Sequence, residues 1–290
     1  MTRATRPLHN RLAVAFDFDK TLVPESLDSL LEALGHEPRA FRERYILPLQ
    51  KAGWELHFAQ FYALLEESRR RPKRERITRD FLMQVGASLE PYDGVPEMFE
   101  SLRACAARII DDIEVEFYVI SAGFADIQRA TSIAPHFTAI YGSEFAFDEH
   151  TGEIIFPKQV LTFPEKESYL LSISKGLPIE GADGPEDAWR HVEEEDLHVP
   201  LDQVVYVGDG ASDMPVFSLM QREGGIALGV LKRHQSAKAW ASQQAMRPDR
   251  RVLNLAEADF REGSELMRSL EAAVESICKR LQVMRMGSGE

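Results

Sequence analysis

Short apolar runs that end in polar residues indicate the strands of this chain. Residues 12–16, 115–120 and 204–207 form three such runs, and residues 225–228 form a fourth. Apolar stretches of this length are typical of strands that are buried on both faces of a parallel sheet. The first three runs end at polar or glycine-containing turns, and open α/β sheets place their ligand crevice at such strand ends. The pattern predicts an α/β fold with a doubly wound parallel sheet.

Between the first two strands the apolar spacing changes to a helical period. Four segments have this spacing, and glycines and prolines separate them: residues 27–34, 39–49, 55–67 and 77–85. The stretch is too long for one crossover helix, so residues 22–90 are predicted to form an inserted helical cap domain. Residues 1–21 and 91–290 are then predicted to form the core.

The second half of the chain contains further elements. Helices are predicted over residues 96–108 and 163–175, and a β-hairpin is predicted from residues 145–147 and 154–156. Residues 176–199 are rich in Gly and Pro and then acidic, which predicts a surface insertion with one short helix. The last residues, 286–290, are expected to be frayed.

Composition narrows the functional classes. The chain has 290 residues, of which 44% are hydrophobic, enough for a substantial core. Its 34 Lys and Arg against 47 Asp and Glu give a net charge of −13, which argues against a nucleic-acid partner. Two cysteines provide no disulfide framework or metal-cluster spacing. With no apolar run of membrane-spanning length, we expect a cytoplasmic protein without a membrane partner.

Carboxylates at the predicted strand ends indicate nucleophilic and acid–base chemistry. Asp17 and Asp19 follow the first strand, and Asp209 follows a later one. A carboxylate can act as a nucleophile toward phosphorus, and a second one can act as general acid and then base. We assign these catalytic roles to Asp17 and Asp19. Clustered carboxylates repel each other unless a cation is present, and oxygen ligands suit Mg²⁺, with Asp213 as a further ligand or a holder of metal-bound water.

A phosphoryl group also needs donors and a cation. Ser121 provides a hydroxyl, and the chain at Ala122 and Gly123 allows backbone amides to approach a phosphate. Lys166 can pair with both the nucleophile and the phosphoryl group. We also expect Thr21 to form a local hydrogen bond that orients Asp17. Two other lysines compete with Lys166 for the cationic role: Lys158 and Lys175.

In this order and spacing, the residues resemble the motifs of the haloacid dehalogenase (HAD) superfamily, specifically its aspartyl-phosphate phosphatases. The matching segments are Asp-x-Asp-x-Thr at residues 17–21, the Ser at 121, the Lys at 166 and Gly-Asp-Gly-x-x-Asp at residues 208–213. The resemblance implies a Rossmann-like core, a C1-type helical cap, and Mg²⁺ bound by the side chains of Asp17 and Asp209 and the backbone carbonyl of Asp19. The acid at Asp19 argues against dehalogenation.

The sequence around the second motif is similar to the phosphoserine phosphatase branch, and phosphocholine-type phosphatases are also similar. Phosphoserine phosphatases have a Glu nine residues after the nucleophile, and here that position is Ser26, with Glu25 beside it. This departure argues against phosphoserine as the substrate. Glu25, Ser26 and Trp54 are the candidate substrate contacts of the cap. The basic run at residues 69–76 is either a solvated surface or an attractor of anionic substrate.

We therefore expect a Mg²⁺-dependent phosphomonoester hydrolase that acts on a small phosphorylated metabolite through a phospho-aspartate. A phosphotransferase of the same superfamily is one alternative, since a second substrate rather than water would then accept the phosphoryl group. A catalytically silent binding protein with this fold is the other, although it would not need Asp17, Asp19, Lys166 and Asp209 together.

Overall fold

One sheet of seven strands organises the described part of the chain. The computed structural model describes residues 9–177, 185–231 and 252–288. In chain order the strands are β1 Arg11–Phe16, β2 Glu114–Phe124, β3 Ala139–Phe147, β4 Ile154–Gln159, β5 Val204–Gly208, β6 Ile226–Leu231 and β7 Asn254–Glu257.

The order of strands across the sheet is β4-β3-β2-β1-β5-β6-β7. Neighbouring strands are parallel, except that β3 and β4 form an antiparallel hairpin. The chain runs outward from β1 through β2 and β3, and then continues on the other side of β1 with β5. Such a reversal leaves a crevice at the carboxyl ends of the central strands, here β1, β2 and β5.

Helices cover the sheet and fill the stretch after β1. Their bounds are α1 Ser26–Ala33, α2 Pro38–Phe41, α3 Leu47–Lys51, α4 Leu56–Arg70, α5 Arg79–Ser88, α6 Val95–Ala107, α7 Ala125–Gln128, α8 Glu165–Lys175, α9 Met214–Glu223 and α10 Glu265–Ser288. A π-helical turn, Arg42–Ile46, joins α2 to α3. In the described ranges, none of these helices has an apolar segment long enough to cross a bilayer.

The alternation of side chains along β1 builds two cores. Leu12, Val14 and Phe16 belong to the apolar cluster that includes α6 and α10, whereas Ala13 and Ala15 belong to the cluster that includes α8 and α9. All five side chains are fully buried. Successive side chains of a strand point to opposite faces, so a strand covered by helices on both faces is apolar throughout. The predicted doubly wound α/β fold is confirmed.

Helices α1 to α5 occupy the stretch predicted to be the cap. Their apolar faces are buried, as Leu30, Leu64 and Leu82 illustrate. The group packs on the edge of the core, because α4 contacts β4 and α5 contacts α7. A bridge between Thr78 and Glu153 adds a backbone link to the hairpin. The division into a cap at residues 22–90 and a core elsewhere stays a prediction.

The four predicted strands, the hairpin and the two core helices are present. The second strand extends through Phe124, four residues further than predicted. Strand β7 and helix α10 were not predicted. Fraying from residue 286 was wrong, since α10 continues to Ser288, and residues 289–290 lie outside the described range. Arg285 anchors the end of α10 by hydrogen bonds to Asp112 and Asn10.

The predicted acidic insertion is partly described. Two short 3₁₀ turns, Pro185–Trp189 and Glu194–Asp196, replace the one short helix expected there. The acidic side chains of residues 193–196 are exposed, as predicted for a solvated surface. The Gly- and Pro-rich part at residues 178–184 lies outside the described residues.

Gly94 is predicted to be essential for the packing of α6. It begins this helix with a φ of +84°, and a Cβ there would lie 2.2 Å from the backbone carbon of Phe260. Gly263 has a similar φ of +76° with nothing within 4 Å of its Cβ position, so Gly263→Ala is a matched control. Both changes cost about 1–2 kcal/mol in backbone conformation. Only Gly94→Ala adds an overpacking cost of about 1–3 kcal/mol.

Urea unfolding of both variants measures this difference. We expect the free energy of unfolding of Gly94→Ala to fall clearly below that of Gly263→Ala. Equal unfolding midpoints would contradict the close packing of Gly94 against the chain at Phe260.

Candidate active site

The predicted site residues converge at the carboxyl ends of three adjacent strands. Phe16, at the end of β1, pairs with Val119 of β2 on one side and with Val207 of β5 on the other. Asp17 directly follows β1, and its backbone N–H donates to the Val207 carbonyl at 2.8 Å. Asp209 directly follows β5. Parallel pairing in this register therefore brings residues from distant parts of the chain to one edge of the sheet.

Lys166 lies near the start of α8, and its side chain extends to this edge of the sheet. Its side chain has no exposed surface, and its Nζ lies 3.0 Å from Asp17 Oδ1 and 2.8 Å from Asp213 Oδ1. The competing lysines lie elsewhere. Lys158 pairs with Glu144 on the hairpin, and Lys175 donates to backbone carbonyls of the acidic insertion, including that of Arg190 at 2.6 Å. The choice of Lys166 is therefore the one that the geometry supports.

Asp213 is held by hydrogen bonds on both of its carboxylate oxygens. Oδ1 accepts from the hydroxyl of Tyr206 at 2.7 Å as well as from Lys166, and Oδ2 accepts from the backbone N–H of Gly210 at 3.1 Å. With its oxygens engaged in this way, Asp213 is better placed to position Lys166 than to bind a metal.

Tyr206 is a site residue that the sequence analysis missed. It lies in the middle of β5 and is fully buried. A buried tyrosine hydroxyl usually has a hydrogen-bond partner, and its partner here is the site carboxylate of Asp213. The available signal was a phenol within an otherwise apolar strand that ends in Gly-Asp-Gly.

Negative charge exceeds positive charge in this buried cluster. Burial raises the pKa of Asp17 to about 6, against the opposing effect of Lys166. Burial and the proximity of Asp17 raise the pKa of Asp209 to about 7. Burial disfavours the Lys166 ammonium, but Asp17 and Asp213 outweigh it and raise its pKa, so that Lys166 is charged. The carboxylates therefore need a proton or another cation to be stable together.

The donor set fits a divalent metal ion. Carboxylate oxygens of Asp17, Asp209 and Asp213 all lie within 4.8 Å of one another. These are hard oxygen donors, the ligands that Mg²⁺ prefers, and an ion among them would relieve the excess of negative charge. Both carboxylate oxygens of Asp213 already accept hydrogen bonds.

Asp19 lies beside the second motif. Its Oδ1 accepts from the backbone N–H of Ser26 at 2.6 Å. Its Oδ2 lies so close to Gly123 that a Cβ at that glycine would be 2.6 Å from it. Burial and the nearby Glu25 raise the pKa of Asp19 to about 7. A carboxyl group with a pKa near neutrality can both donate and accept a proton at working pH.

The second motif forms the opposite wall. Ser121 is buried, and its Oγ accepts from the backbone N–H of Gly123 at 3.2 Å. Ala122 and Gly123 lie with Ser121 around the same cavity as Asp17 and Lys166. Thr21 does not form the local hydrogen bond that was expected. Its hydroxyl is buried without a hydrogen-bond partner in the described structure, and only its backbone N–H bonds within the turn, to the Phe18 carbonyl at 3.3 Å.

A cavity of about 280 Å³ lies above these residues, and residues of α4 form part of its wall. Two of the three cap candidates line it, Glu25 and Ser26. Trp54 does not. It is 42% exposed and packs against the ring of Tyr62, at 4.9 Å between centroids, on the outer surface of α4. The basic run at residues 69–76 is also outside the cavity lining, and several of its arginines form ion pairs with Glu66, Glu67 and Glu153.

Several cavity residues were not singled out from the sequence, among them Lys20, His57 and Gln60. Lys20 adopts a φ of +61°, which is unusual for a residue with a side chain, and its ammonium pairs with the carboxylate of Glu25. His57 and Gln60 are three positions apart on one face of α4. A His and a Gln on a cap helix give no signal by themselves, because only packing decides which face of α4 meets the core.

Known proteins are similar to this chain in sequence and in fold. A curated protein from Borreliella burgdorferi, described as an uncharacterized protein, is 21% identical over 93% of this chain and 97% of its own length. A HAD family hydrolase from Salmonella enterica serovar Typhi has a similar fold, with a TM-score of 0.54 and 12% identity over 79% of this chain. This chain covers 64% of that hydrolase.

A phosphoserine phosphatase, solved as an analogue of its phospho-aspartyl intermediate, has a TM-score of 0.51 and 13% identity. The match covers 90% of this chain and 98% of that enzyme. At these identities the structures establish a shared fold.

The family assignment follows from the sequence itself. A family profile described as haloacid dehalogenase-like hydrolase matches residues 14–218, which span the site from Asp17 to Asp213. Together with the doubly wound sheet and the convergence of the motif residues, this match shows that the chain belongs to the haloacid dehalogenase-like hydrolase family.

Proposed function

We propose that the protein is a Mg²⁺-dependent phosphomonoesterase that acts through a phospho-aspartate on Asp17. The contact that supports this most directly is the one between Asp17 and the buried Lys166, at 3.0 Å, beneath the cavity. Asp17 Oδ1 also accepts from the backbone N–H of Phe18 at 2.7 Å, which leaves Oδ2 with only a long 3.5 Å contact from Ser212. Oδ2 is therefore the oxygen available to attack phosphorus.

The proposed first step transfers the phosphoryl group to Asp17. A carboxylate oxygen of Asp17 forms a bond to phosphorus as the bond from phosphorus to the leaving oxygen breaks. Asp19 donates its proton to that leaving oxygen, and the alcohol departs. The hydroxyl of Ser121 and the ammonium of Lys166 stabilise the negative charge on the phosphoryl oxygens.

The second step restores the enzyme. Asp19, now a carboxylate, accepts a proton from water, and the resulting hydroxide attacks phosphorus. The bond between phosphorus and the Asp17 oxygen breaks, and inorganic phosphate is released. Bound Mg²⁺ would neutralise charge on the phosphoryl oxygens, and Asp17, Asp209 and the backbone carbonyl of Asp19 are the proposed ligands.

The substrate is proposed to be a small phosphorylated metabolite, because the cavity has a volume of only about 280 Å³. The likeness to a phosphoserine phosphatase supports hydrolysis of a phosphomonoester in general. The two cysteines, Cys105 and Cys278, are buried free thiols, which supports a location in the reducing cytoplasm.

We expect Asp17→Asn to abolish turnover, because the amide keeps the size of the side chain and removes the nucleophile. The rate of p-nitrophenyl phosphate hydrolysis should fall by more than about 10⁴-fold, as for the loss of a nucleophile in other covalent enzymes. The far-UV circular dichroism spectrum should stay unchanged. Asp196→Asn removes the same charge from the exposed acidic run and serves as the control. Turnover by Asp17→Asn above the buffer rate would exclude Asp17 as the nucleophile.

Asp19→Asn should allow the covalent intermediate to accumulate. p-Nitrophenolate leaves without an acid, but the second step lacks its base, so phosphorylated Asp17 should persist. Intact-protein mass spectrometry should detect one added phosphoryl group that hydroxylamine removes. The double variant Asp17→Asn/Asp19→Asn should acquire none. An equal adduct on the double variant would place the phosphoryl group elsewhere.

Removal of metal should abolish activity, and Mg²⁺ should restore it. The second readout is thermal stability, because a ligand that binds only the folded state raises the unfolding temperature. Mg²⁺ should stabilise the wild type and Asp196→Asn, and it should stabilise Asp209→Asn less at the same concentration. Full activity in excess EDTA, or an identical Mg²⁺-induced shift in Asp209→Asn, would contradict the proposed site.

A further inference from the structure

The cap presents two unpartnered hydrogen-bonding groups to the catalytic cavity. His57 is 4% exposed, and its Nδ1 lies 2.7 Å from Glu55 Oε1. A carboxylate at that distance requires a proton on Nδ1, which leaves Nε2 as the ring nitrogen that can bond to a ligand. No described residue occupies Nε2, although the ring lines the cavity. Nε2 is therefore available to a molecule in the cavity.

Gln60 extends the same surface. It lies one helical turn beyond His57 on α4, is half-buried, and also lines the cavity. The described residues provide no hydrogen-bond partner for its carboxamide, which is both a donor and an acceptor. The His57 ring is fixed edge-to-face against Phe163, with 4.9 Å between ring centroids. This packing holds the acceptor of His57 in place before any ligand arrives.

The two lysines of the cavity already have carboxylate partners. Among the lining residues of the described chain, Lys166 pairs with Asp17, and Lys20 pairs with Glu25. A carboxylate on the leaving group would have to take Lys20 from Glu25 and would be repelled by the excess negative charge of the site, and an ammonium group would compete with Lys20 for Glu25. A hydroxyl can instead donate to His57 Nε2 or bond to Gln60 while both ion pairs remain intact.

We propose that His57 and Gln60 bind the leaving group, and that the substrate is the phosphomonoester of an uncharged, hydroxyl-bearing molecule. This inference rests on the proposed phosphomonoesterase activity and specifies its substrate class. Sites that hydrogen-bond a substrate hydroxyl discriminate against analogues that lack it, because the polar groups of the site then remain unpaired.

A matched pair of substrates tests the proposal. Glycerol 1-phosphate and propyl phosphate have the same carbon chain, and only the first has free hydroxyls. The wild type should hydrolyse glycerol 1-phosphate with the higher kcat/KM, and phosphoserine should rank below it. His57→Phe keeps the ring but removes Nε2, and Gln60→Leu keeps the shape but removes the amide. Each should lower kcat/KM for glycerol 1-phosphate about tenfold, the effect of one lost hydrogen bond.

In both variants the rate with propyl phosphate should change less than about twofold. His191→Phe is the control for His57→Phe, because His191 also pairs with a glutamate two residues away but is 82% exposed outside the cavity lining. Equal losses for both esters, or unchanged discrimination, would overturn the proposed role of His57 and Gln60. Phosphoserine as the best substrate would overturn the substrate class.

These failures are distinguishable from failure of the proposed function. Hydrolysis of p-nitrophenyl phosphate by wild type and variants alike, with no change in discrimination, would remove the inference and leave the phosphomonoesterase activity intact. If Mg²⁺-loaded wild type hydrolysed none of the esters, the activity and the inference would both be wrong.

Discussion

Lys166 has no exposed surface, and its ammonium lies between the carboxylates of Asp17 and Asp213. A charge removed from water in this way is stable only with opposite charge close by and with its hydrogen bonds satisfied. Asp213 is in turn held by Tyr206 and by the backbone of Gly210. The position of the proposed nucleophile therefore depends on a chain of contacts that links β1, α8 and β5. None of these elements alone could hold it.

The same cluster has more negative charge than Lys166 can balance. The pKa values of Asp17, Asp19 and Asp209 are raised, because burial disfavours each ionised form and neighbouring carboxylates add to this effect. Such a cluster is poorly matched as a structural ion pair, and a divalent cation would balance its excess negative charge. The energetic cost of burying these carboxylates would be offset when the proposed cation binds among them.

In the proposed mechanism the core and the cap have separate tasks. The strand ends provide the residues that would act on phosphorus, whereas α4 provides the groups proposed to bind the leaving group. Because α4 also packs against β4, its position over the cavity is fixed by the hairpin as well as by the other cap helices. A change in the exposed residues of α4, such as Phe58, would leave this inner surface in place.

The sequence by itself determined the doubly wound fold and the motif residues. Continuous apolar strands require cover on both faces, and the polar turns that end them have no role in a core. It did not determine the environment of Thr21, the role of Tyr206 or the position of Trp54. These depend on tertiary contacts, such as those of Tyr206 with Asp213 and of α4 with β4. The apolar spacing of residues 55–67 predicted the helix α4. Only tertiary packing decided that His57 and Gln60 of this helix face the cavity, while Trp54, just before it, faces solvent.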